Sequence, residues 1–324
     1  MGAGSRLGVA LFVSCAVGCV AARAAEYPDR PIRMIVPQAP GSASDTVARI
    51  IGAELTSRLK QQVVVDNRPG GALLLGLELT AKAPPDGYTI GYAMIGALAI
   101  SPNVVSKPPL DVQKDLAPIS QTTTGQMLLA AGPATSFKSV RDVIAYAKQN
   151  PGKLNYASSG NGTPGHVGME LFKVMTGTQM VHVPYKGGAA GITELIAGQM
   201  QLMLESTNSI TPHAKAGRVR GLAVTGAKRS EALPELPTIA EAGVPGYEAT
   251  TWTGMVAPAG MPRTIIMKLN AEINQMVASP SFKERVAPIG SEPMAGTPEQ
   301  FAQFIKSESA KWADVIRRSG AKID

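Results

Sequence analysis

Short apolar segments alternate with amphipathic ones in the first third of this 324-residue chain. Segments rich in Ile and Val predict strands at Ile32–Val36, Gln62–Asp66 and Tyr88–Met94. Between them, Asp45–Leu59 and Gly76–Lys82 are predicted to be helices. Strands that alternate with helices form mostly parallel sheets whose faces are covered by those helices. The chain is therefore predicted to be an α/β protein.

The same alternation starts again after residue 125 and predicts a second sheet. The predicted strands are Gln126–Gly132, Lys153–Ala157, Gln179–Pro184, Met200–Leu204, Val219–Val224 and Tyr247–Val256. The predicted helices are Val140–Gln149, Gly165–Thr176, Ala189–Ala197, Ile210–Ala216, Arg263–Ala278 and Pro298–Ser319. A chain of about 300 residues usually divides into more than one domain, so the two blocks predict two lobes.

The N-terminal segment is typical of a secretory signal peptide. Leu7–Ala22 is apolar or small, and Ala22–Ala24 fits the small-x-small cleavage rule. We expect export to the periplasm with cleavage after Ala24, or after Ala25 as a close alternative. Lipoprotein processing at Cys19 is a further alternative that we favour less. The two cysteines of the chain lie in this segment, so the mature chain would carry no thiol.

Composition argues against two other classes of function. The chain has 31 basic and 24 acidic residues, and the basic ones are scattered. Surfaces that bind nucleic acids carry clustered Lys and Arg or stacking aromatic residues, so no nucleic-acid partner is expected. The three histidines show neither His-Glu-x-x-His spacing nor a cysteine partner, so no metal site and no cofactor are expected.

A loop of small residues, Ser158–Pro164, joins a predicted strand to a predicted helix. The first turn of a helix has unpaired N–H groups and a positive dipole, so this loop predicts an anion site. The expected donors are the hydroxyls of Ser158, Ser159 and Thr163 and the backbone of Gly160 and Gly162. The glycines also fit a dinucleotide motif, but the next strand does not end in the acid that such a site requires. A tight turn without a ligand is the second alternative.

A second loop of this kind, Pro37–Ser44, precedes the helix Asp45–Leu59. In open α/β sheets, ligands bind beyond the carboxyl ends of the strands. If the two lobes face each other, two helix N-termini meet at one cleft. Such a cleft would hold a small anion and close by a hinge motion.

Several short motifs, spread over nearly the whole expected mature chain, resemble those of one protein family. The chain resembles the periplasmic solute receptors of tripartite tricarboxylate transporters, called Bug receptors. The segments that carry the resemblance are YPDRPIRMIVP at Tyr27–Pro37, Pro40-Gly41-x-x-x-Asp45, VDNRPGG at Val65–Gly71, PDGYT at Pro85–Thr89, Ser159-Gly-x-Gly-Thr-x-x-His166, VPYKG at Val183–Gly187 and LPTIAEAG at Leu236–Gly243.

The resemblance implies a two-lobed type II binding-protein fold with the ligand cleft between the lobes. Lobe 1 would comprise residues 25–125 and 249–324, and lobe 2 residues 126–248. A small carboxylate, an organic acid or an amino acid, would be held by loop backbone, hydroxyls and water. The receptor, expected to be a monomer, would deliver it to membrane transporter subunits. A sensor role towards a membrane-bound kinase is an alternative.

The resemblance also implies which residues contact the ligand. In the first loop, these residues are Gln38, Ala39, Ser42, Ser44 and Asp45, although Asp45 is equally expected to act only as a helix N-cap. The second loop contributes Ser158, Ser159, Gly160, Gly162 and Thr163. His166 follows, and it is expected equally to be a ligand contact or a buried structural histidine. Further along the chain, the resemblance implies Tyr185, Glu205 and Ser206.

Two features leave the function and the ligand open at this level. The first loop reads Gly41-Ser42-Ala43-Ser44-Asp45, whereas the family usually has a more glycine-rich PGGxxD, so the identity of the carboxylate is not fixed. A periplasmic hydrolase is the competing function, with Ser158 and His166 as a candidate pair. The chain has no Gly-x-Ser-x-Gly motif and no evident acid to orient His166, so we expect a binding protein and no catalytic residues.

Overall fold

The computed structural model describes residues 27–320 of the chain. The expected signal peptide, its cleavage position and Cys19 lie outside the described residues. The described chain forms two β-sheets, of six and five strands, with helices packed on them. In this range, no helix is both long and apolar enough to cross a membrane.

The larger sheet is built mainly from the two ends of the chain. Its strands lie in the order β11-β4-β10-β3-β1-β2. They are β1 (Ile32–Val36), β2 (Val63–Asn67), β3 (Thr89–Met94), β4 (Leu116–Gly125), β10 (Thr251–Pro258) and β11 (Ser291–Pro293). Strands β2, β1 and β3 are parallel, whereas β10, β4 and β11 pair antiparallel.

The smaller sheet is built from the middle of the chain, in the order β7-β6-β8-β5-β9. Its strands are β5 (Met127–Ala131), β6 (Asn155–Ser158), β7 (Val181–Pro184), β8 (Leu202–Ser206) and β9 (Arg220–Val224). Here β7, β6 and β8 are parallel, and β5 pairs antiparallel with β8 and β9. The expectation of mostly parallel sheets therefore needs a correction: each sheet has three parallel strands, and the other pairings are antiparallel.

The helices of the larger sheet's segments are α1 (Ala43–Leu59), α2 (Leu74–Ala81), α3 (Ser101–Val104), α4 (Val112–Asp115), α9 (Arg263–Val277), α10 (Pro280–Val286) and α11 (Pro298–Ser319). Those of the smaller sheet's segments are α5 (Val140–Gln149), α6 (Pro164–Thr176), α7 (Gly188–Ile196) and α8 (Thr207–Lys215). Helix α11 has a complete capping box, in which Thr297 and Gln300 exchange side-chain to backbone hydrogen bonds. It covers the larger sheet through Phe301 and Trp312, which are buried.

The chain passes from one sheet to the other at two adjacent places. Gly125 ends β4 in the larger sheet, and Met127 begins β5 in the smaller sheet, so only Gln126 separates them. The chain returns at β10, where Thr251 lies opposite Gly125. The two sheets are thus joined by short neighbouring segments, beside which the carboxyl ends of the parallel strands lie.

Strand β4 is the main element that the sequence did not predict. It contains Pro118 and a run of polar residues, which break the alternation typical of strands. In the fold its polar residues Ser120, Thr122 and Thr123 are buried, and their hydroxyls form hydrogen bonds. Helix α10 was not predicted either, and Pro280 lies in its first turn, where a missing N–H does no harm.

Candidate functional site

A cleft of about 570 Å³ lies between the loops that follow the strands of the two sheets. Eight of the residues expected to contact ligand line it: Gln38, Ser42, Ser44, Ser159, Gly162, Thr163, Glu205 and Ser206. Six others do not line it: Ala39, Asp45, Ser158, Gly160, His166 and Tyr185. The structure thus brings residues of both expected loops to one cavity, although they are far apart in the sequence.

The first loop is held by a hydrogen-bond network around Asp45. Ser42, not Asp45, is the N-cap of α1, because its Oγ accepts the Asp45 N–H at 3.1 Å. The buried Asp45 carboxylate accepts the Gly41 N–H at 2.8 Å and the Asn67 amide at 2.9 Å, and it pairs with Arg49. The alternative in which Asp45 is the N-cap is therefore wrong, and its carboxylate supports the loop from behind.

The hydrogen bonds and pairing of Asp45 also set its protonation. Burial opposes the charge, but the Arg49, Gly41 and Asn67 hydrogen bonds outweigh it and lower the pKa of Asp45. An ionised carboxylate with three donors is well suited to fix backbone geometry. These contacts hold the first loop against the start of α1 and the end of β2.

The wall of the cleft next to this loop is made by Tyr92 and Met94 at the end of β3. Gln38 Nε2 and Ser44 Oγ lie 3.4 Å and 3.6 Å from the Met94 sulfur. The Tyr92 hydroxyl is buried near the hydroxyls of Ser44 and Thr253, although its geometry to neither is that of a well-formed hydrogen bond among the described residues. Burial raises the pKa of Tyr92, so the phenol stays protonated and can donate a hydrogen bond into the cleft.

In the second loop, the two expected backbone donors are already engaged. The Gly160 N–H donates to Ser158 Oγ at 3.1 Å, and the Gly162 N–H donates to His166 Nδ1 at 3.0 Å. Thr163 Oγ1 donates to the Gly160 carbonyl at 2.7 Å. The expectation that the amides of Gly160 and Gly162 point at a ligand is not met, because these groups stabilise the loop itself. Ser159 and Asn161 are left facing the cleft.

Behind this loop lies a buried cluster of polar and aromatic residues. Ser158 Oγ lies 2.6 Å from His182 Nε2, and the His182 ring stacks on that of His166 with 3.9 Å between centroids. Burial, followed by His166 and Lys173, lowers the pKa of His182 to about 3. Burial also lowers the pKa of His166, so the two stacked rings are neutral at pH 7.

The acidic member of this cluster does not orient a catalytic histidine. Glu170 accepts hydrogen bonds from the Tyr156 hydroxyl and from Lys173, and its nearest oxygen is 4.0 Å from His166 Nε2. The histidine next to Ser158 is His182 rather than His166. Ser158 itself is fully buried. The candidate pair Ser158–His166 is therefore wrong, and the cluster packs the interior behind the loop.

On the same side of the cleft as the second loop, Glu205 lies near the end of β8 with its side chain at the cleft. It is 7% exposed, its Oε1 accepts the Ser206 N–H at 2.9 Å, and its Oε2 has no partner among the described residues. Burial raises the pKa of Glu205, whereas Ser206 and Ser159 act in the opposite direction. Tyr185 lies away from the cleft, where it packs against the apolar core of the smaller sheet.

Several residues of the cleft escaped the sequence analysis. They lie on β4, β10, α7, α8 and β11, at the sheet junction and in the second loop: Asn161, Gly188, Thr123, Thr124, Gln126, Asn208, Ser209, Thr251, Trp252, Thr253 and Ser291. Most belong to antiparallel strands or to the sheet junction, whereas the sequence predicted ligand contacts only beyond parallel strands. The polar run Ser120–Thr124 inside an otherwise apolar region was the one available signal.

The cleft is rich in hydroxyls and amides and poor in charge. Among the described residues that line it, none is Lys, Arg or His, and Glu205 is the acidic one. In residues 27–320 there is also no group of three or more His, Cys, Asp and Glu side chains suited to a metal ion. The arrangement can hold a small polar ligand by directed hydrogen bonds, but it presents no exposed nucleophile paired with a base.

Comparisons with known proteins agree with this arrangement. Residues 47–321 match the family described as "Tripartite tricarboxylate transporter family receptor". The chain is 39% identical to the UPF0065 protein in the tcbD-tcbE intergenic region of Pseudomonas sp. (strain P51), over 90% of this chain and 86% of that one. It is 34% identical to Protein BugT of Bordetella pertussis, over 97% of each.

A solved structure shares the fold. The structure described as R. palustris Rpa4515 with adipate is 36% identical, has a TM-score of 0.81, and covers 92% of this chain and 100% of its own. The predicted two-lobed α/β fold and the expectation of a binding protein rather than an enzyme are confirmed. The chain belongs to the tripartite tricarboxylate transporter family of solute-binding receptors.

Proposed function

We propose that this receptor captures a small carboxylate in the cleft between its two sheets, in the periplasm. The observation that carries the proposal is the cleft itself, which presents Ser, Thr, Asn and Gln side chains from both loops around about 570 Å³. Fixed hydroxyl and amide dipoles bind an oxyanion without reacting with it. The volume lies in the range of pockets that bind small molecules.

Two helix N-termini favour a carboxylate over a neutral ligand. Ser42 and Ser44 stand at the start of α1, and Thr163 is the N-cap of α6 without a side-chain capping bond. Their first turns add positive potential on the two sides of the cleft. We propose that one carboxylate is held by Ser42, Ser44 and Ser159, in part through water. The solved relative described with adipate supports a small organic acid as ligand.

The proposed lobes are residues 25–125 with 249–324, and residues 126–248. The support is that, within residues 27–320, the chain crosses between the two sheets at Gln126 and again just before Thr251, side by side. Helix α11 also packs against α6, so closure would have to keep or slide this contact. Short adjacent connections of this kind permit hinge closure around a ligand. Closure would bring Ser44 and Ser159, on opposite sides of the cleft, onto the same ligand.

We further propose that the closed receptor, acting as a monomer, delivers its ligand to the membrane subunits of a tripartite transporter. The family of the chain supports this. A sensor role would use the same closed form on a membrane kinase instead. Uptake of labelled ligand by cells with and without the receptor distinguishes the two, because a pure sensor leaves the uptake rate per transporter unchanged.

A thermal-shift screen of the mature protein tests the binding step. The panel contains mono-, di- and tricarboxylates and amino acids, with the uncharged amide of each acid as its control. A ligand at a hundredfold excess over its Kd should stabilise the folded state by about 2.7 kcal/mol, whereas the amide should not. Refolding from urea first removes any ligand retained from expression. If no acid shifts the Tm of the refolded protein, the proposal is wrong.

A further inference from the structure

Only one of the two Glu205 carboxylate oxygens accepts a well-formed hydrogen bond from the described residues. Its Oε1 accepts the Ser206 N–H, but the buried Oε2 has no hydrogen-bond partner among the described residues. The side chain is more than nine-tenths buried and yet lines the cleft. A buried carboxylate oxygen without a donor is costly, so such groups usually have a partner that completes them.

Gly188 covers one side of the Glu205 carboxylate, and the hydroxyls of Ser159 and Ser206 are its polar neighbours, although neither makes a well-formed hydrogen bond to Oε2. Gly188, at the start of α7, lies against the carboxylate so closely that a Cβ there would come within 2.8 Å of Oε2. This backbone covers one side of Glu205 without offering it a hydrogen bond. Gly188 and Glu205 both line the cleft, so the remaining side of Oε2 faces the ligand space.

Within residues 27–320, the cleft lining also places no positively charged side chain beside Glu205. None of the described residues that line the cleft is Lys, Arg or His. The Lys173 ammonium pairs with Glu170 in the buried cluster, and Arg49 pairs with Asp45 behind the first loop. Burial disfavours an ionised Glu205, and a plain dicarboxylate would add two more negative charges beside it without a cation from the described cleft lining to offset them. A ligand that itself carries a positive charge removes this conflict.

We propose that Glu205 is the specificity-determining residue of the cleft and that it selects an acid bearing an ammonium nitrogen. The ligand class is then an amino acid, with its carboxylate on the loop hydroxyls and its nitrogen donating to Glu205 Oε2. The inference rests on the proposed receptor function. It narrows the ligand from small carboxylates in general to those that carry a cationic donor.

Calorimetric titration with three matched pairs tests this assignment: L-aspartate against succinate, L-glutamate against glutarate, and L-alanine against propionate. The members of each pair differ by one amino group. At least one amino acid should bind the wild-type protein about tenfold or more tightly than its partner acid. Glu205→Gln, which keeps the shape of the side chain, should weaken the binding of that amino acid by about tenfold or more. The affinity for the matched plain acid should stay the same or increase.

A control variant, together with the outcomes below, distinguishes a failure of this inference from a failure of the receptor proposal. Glu231→Gln makes the same change at an exposed position outside the cleft and should leave every affinity unchanged. Circular dichroism confirms that each variant is folded. If the plain acid binds as tightly as its amino partner, or if Glu205→Gln does not weaken the amino acid, the inference is wrong while the receptor proposal stands. If no member of any pair binds and the wider acid panel also fails, both are wrong.

Discussion

The Gly162 amide donates a hydrogen bond to His166 Nδ1 at 3.0 Å, and this contact ties the ligand-facing loop to a buried histidine. A nitrogen that accepts a hydrogen bond carries no proton, so His166 is neutral here, with its proton on Nε2. Its ring stacks at 3.9 Å on His182, which contacts Ser158 at the other end of the loop. The two ends of the loop are therefore fixed by one pair of neutral histidines.

These histidines should make the protein less stable in mild acid. The pKa of His182 is lowered to about 3 and that of His166 is also lowered, chiefly by burial, so between these values and about 6.5 the unfolded chain binds protons that the folded chain does not. Stability is therefore complete above about pH 6.5 and declines as the pH falls below it. Urea unfolding at a series of pH values measures the decline.

To test this prediction, the pH dependence of unfolding is compared between the wild type and the double variant His166→Gln, His182→Gln. Its unfolding free energy should depend less on pH between about 6.5 and 4.5, because glutamine does not titrate. His213, whose pKa burial lowers, and Glu205, whose pKa burial raises, titrate in both proteins, so the difference between the two pH curves isolates the histidine pair. Asp45 and Asp66 do not interfere, since their pKa values are lowered from 3.8 and they respond only at lower pH. Equal pH dependence in the variant and the wild type would contradict the assigned neutral pair.

Removal of the Asp45 carboxylate should destabilise the first loop. Asp45→Ala removes the acceptor of the Gly41 N–H and one of the two acceptors of the half-buried Asn67 amide, which we expect to cost about 1 kcal/mol or more of unfolding free energy. Arg49→Ala removes the half-exposed partner and should cost less than about 1 kcal/mol. Urea denaturation of the two variants measures the difference. Equal costs would show that the ion pair, and not the backbone support, is what matters.

Tyr92→Phe should separate folding from binding. The Tyr92 hydroxyl is buried and makes no well-formed hydrogen bond to the described part of the chain, with Ser44 and Thr253 as its polar neighbours, so its removal should change the unfolding free energy of the ligand-free protein by less than about 1 kcal/mol. If the hydroxyl donates to the ligand, affinity should fall by about 1 kcal/mol, or roughly fivefold. Denaturation and calorimetry on the same preparation test both halves. A large loss of stability would show that the hydroxyl is satisfied inside the protein.

Gly160→Val should abolish binding through the shape of the loop. Gly160 has φ of +134°, and a Cβ would approach the Tyr185 carbonyl at 3.3 Å, so valine cannot adopt this geometry without strain. Gly217→Ala is the control, because Gly217 also has a positive φ of +68° but no atoms within 4 Å of an added Cβ. Calorimetry should show lost affinity only in the first variant. Unchanged affinity in Gly160→Val would remove this loop from the site.

The sequence predicted the parallel strands and their helices because these segments carry their own periodic signal. Strand β1 was predicted with its observed bounds, Ile32–Val36, and so was α11, Pro298–Ser319. Strand β4 was missed because its side chains are polar and buried, stabilised by contacts such as Thr123 with Thr253 that are distant in sequence. Local pattern cannot reveal a strand whose stability comes from remote partners.

The loops that face the cleft could be predicted from the sequence, but the hydrogen-bond partners of their individual groups could not. Small residues before a helix indicated both loops, and Ser42, Ser44 and Ser159 do line the cleft. The sequence could not show that the amides of Gly160 and Gly162 are engaged by Ser158 and His166, because these hydrogen bonds depend on loop geometry. Nor could it show that Glu205 Oε2 lacks a partner, which depends on how Gly188 packs against it.

The most direct test of the account is a calorimetric titration of the refolded mature protein with the best acid from the screen and with its amide. The double variant Ser44→Ala, Ser159→Ala removes one cleft-lining hydroxyl from each loop and keeps the Ser42 N-cap. We predict that the acid binds the wild type, that the amide does not, and that the double variant binds the acid at least about tenfold more weakly with its fold intact. Equal affinity of the acid for both proteins would contradict the claim that this cleft holds the carboxylate.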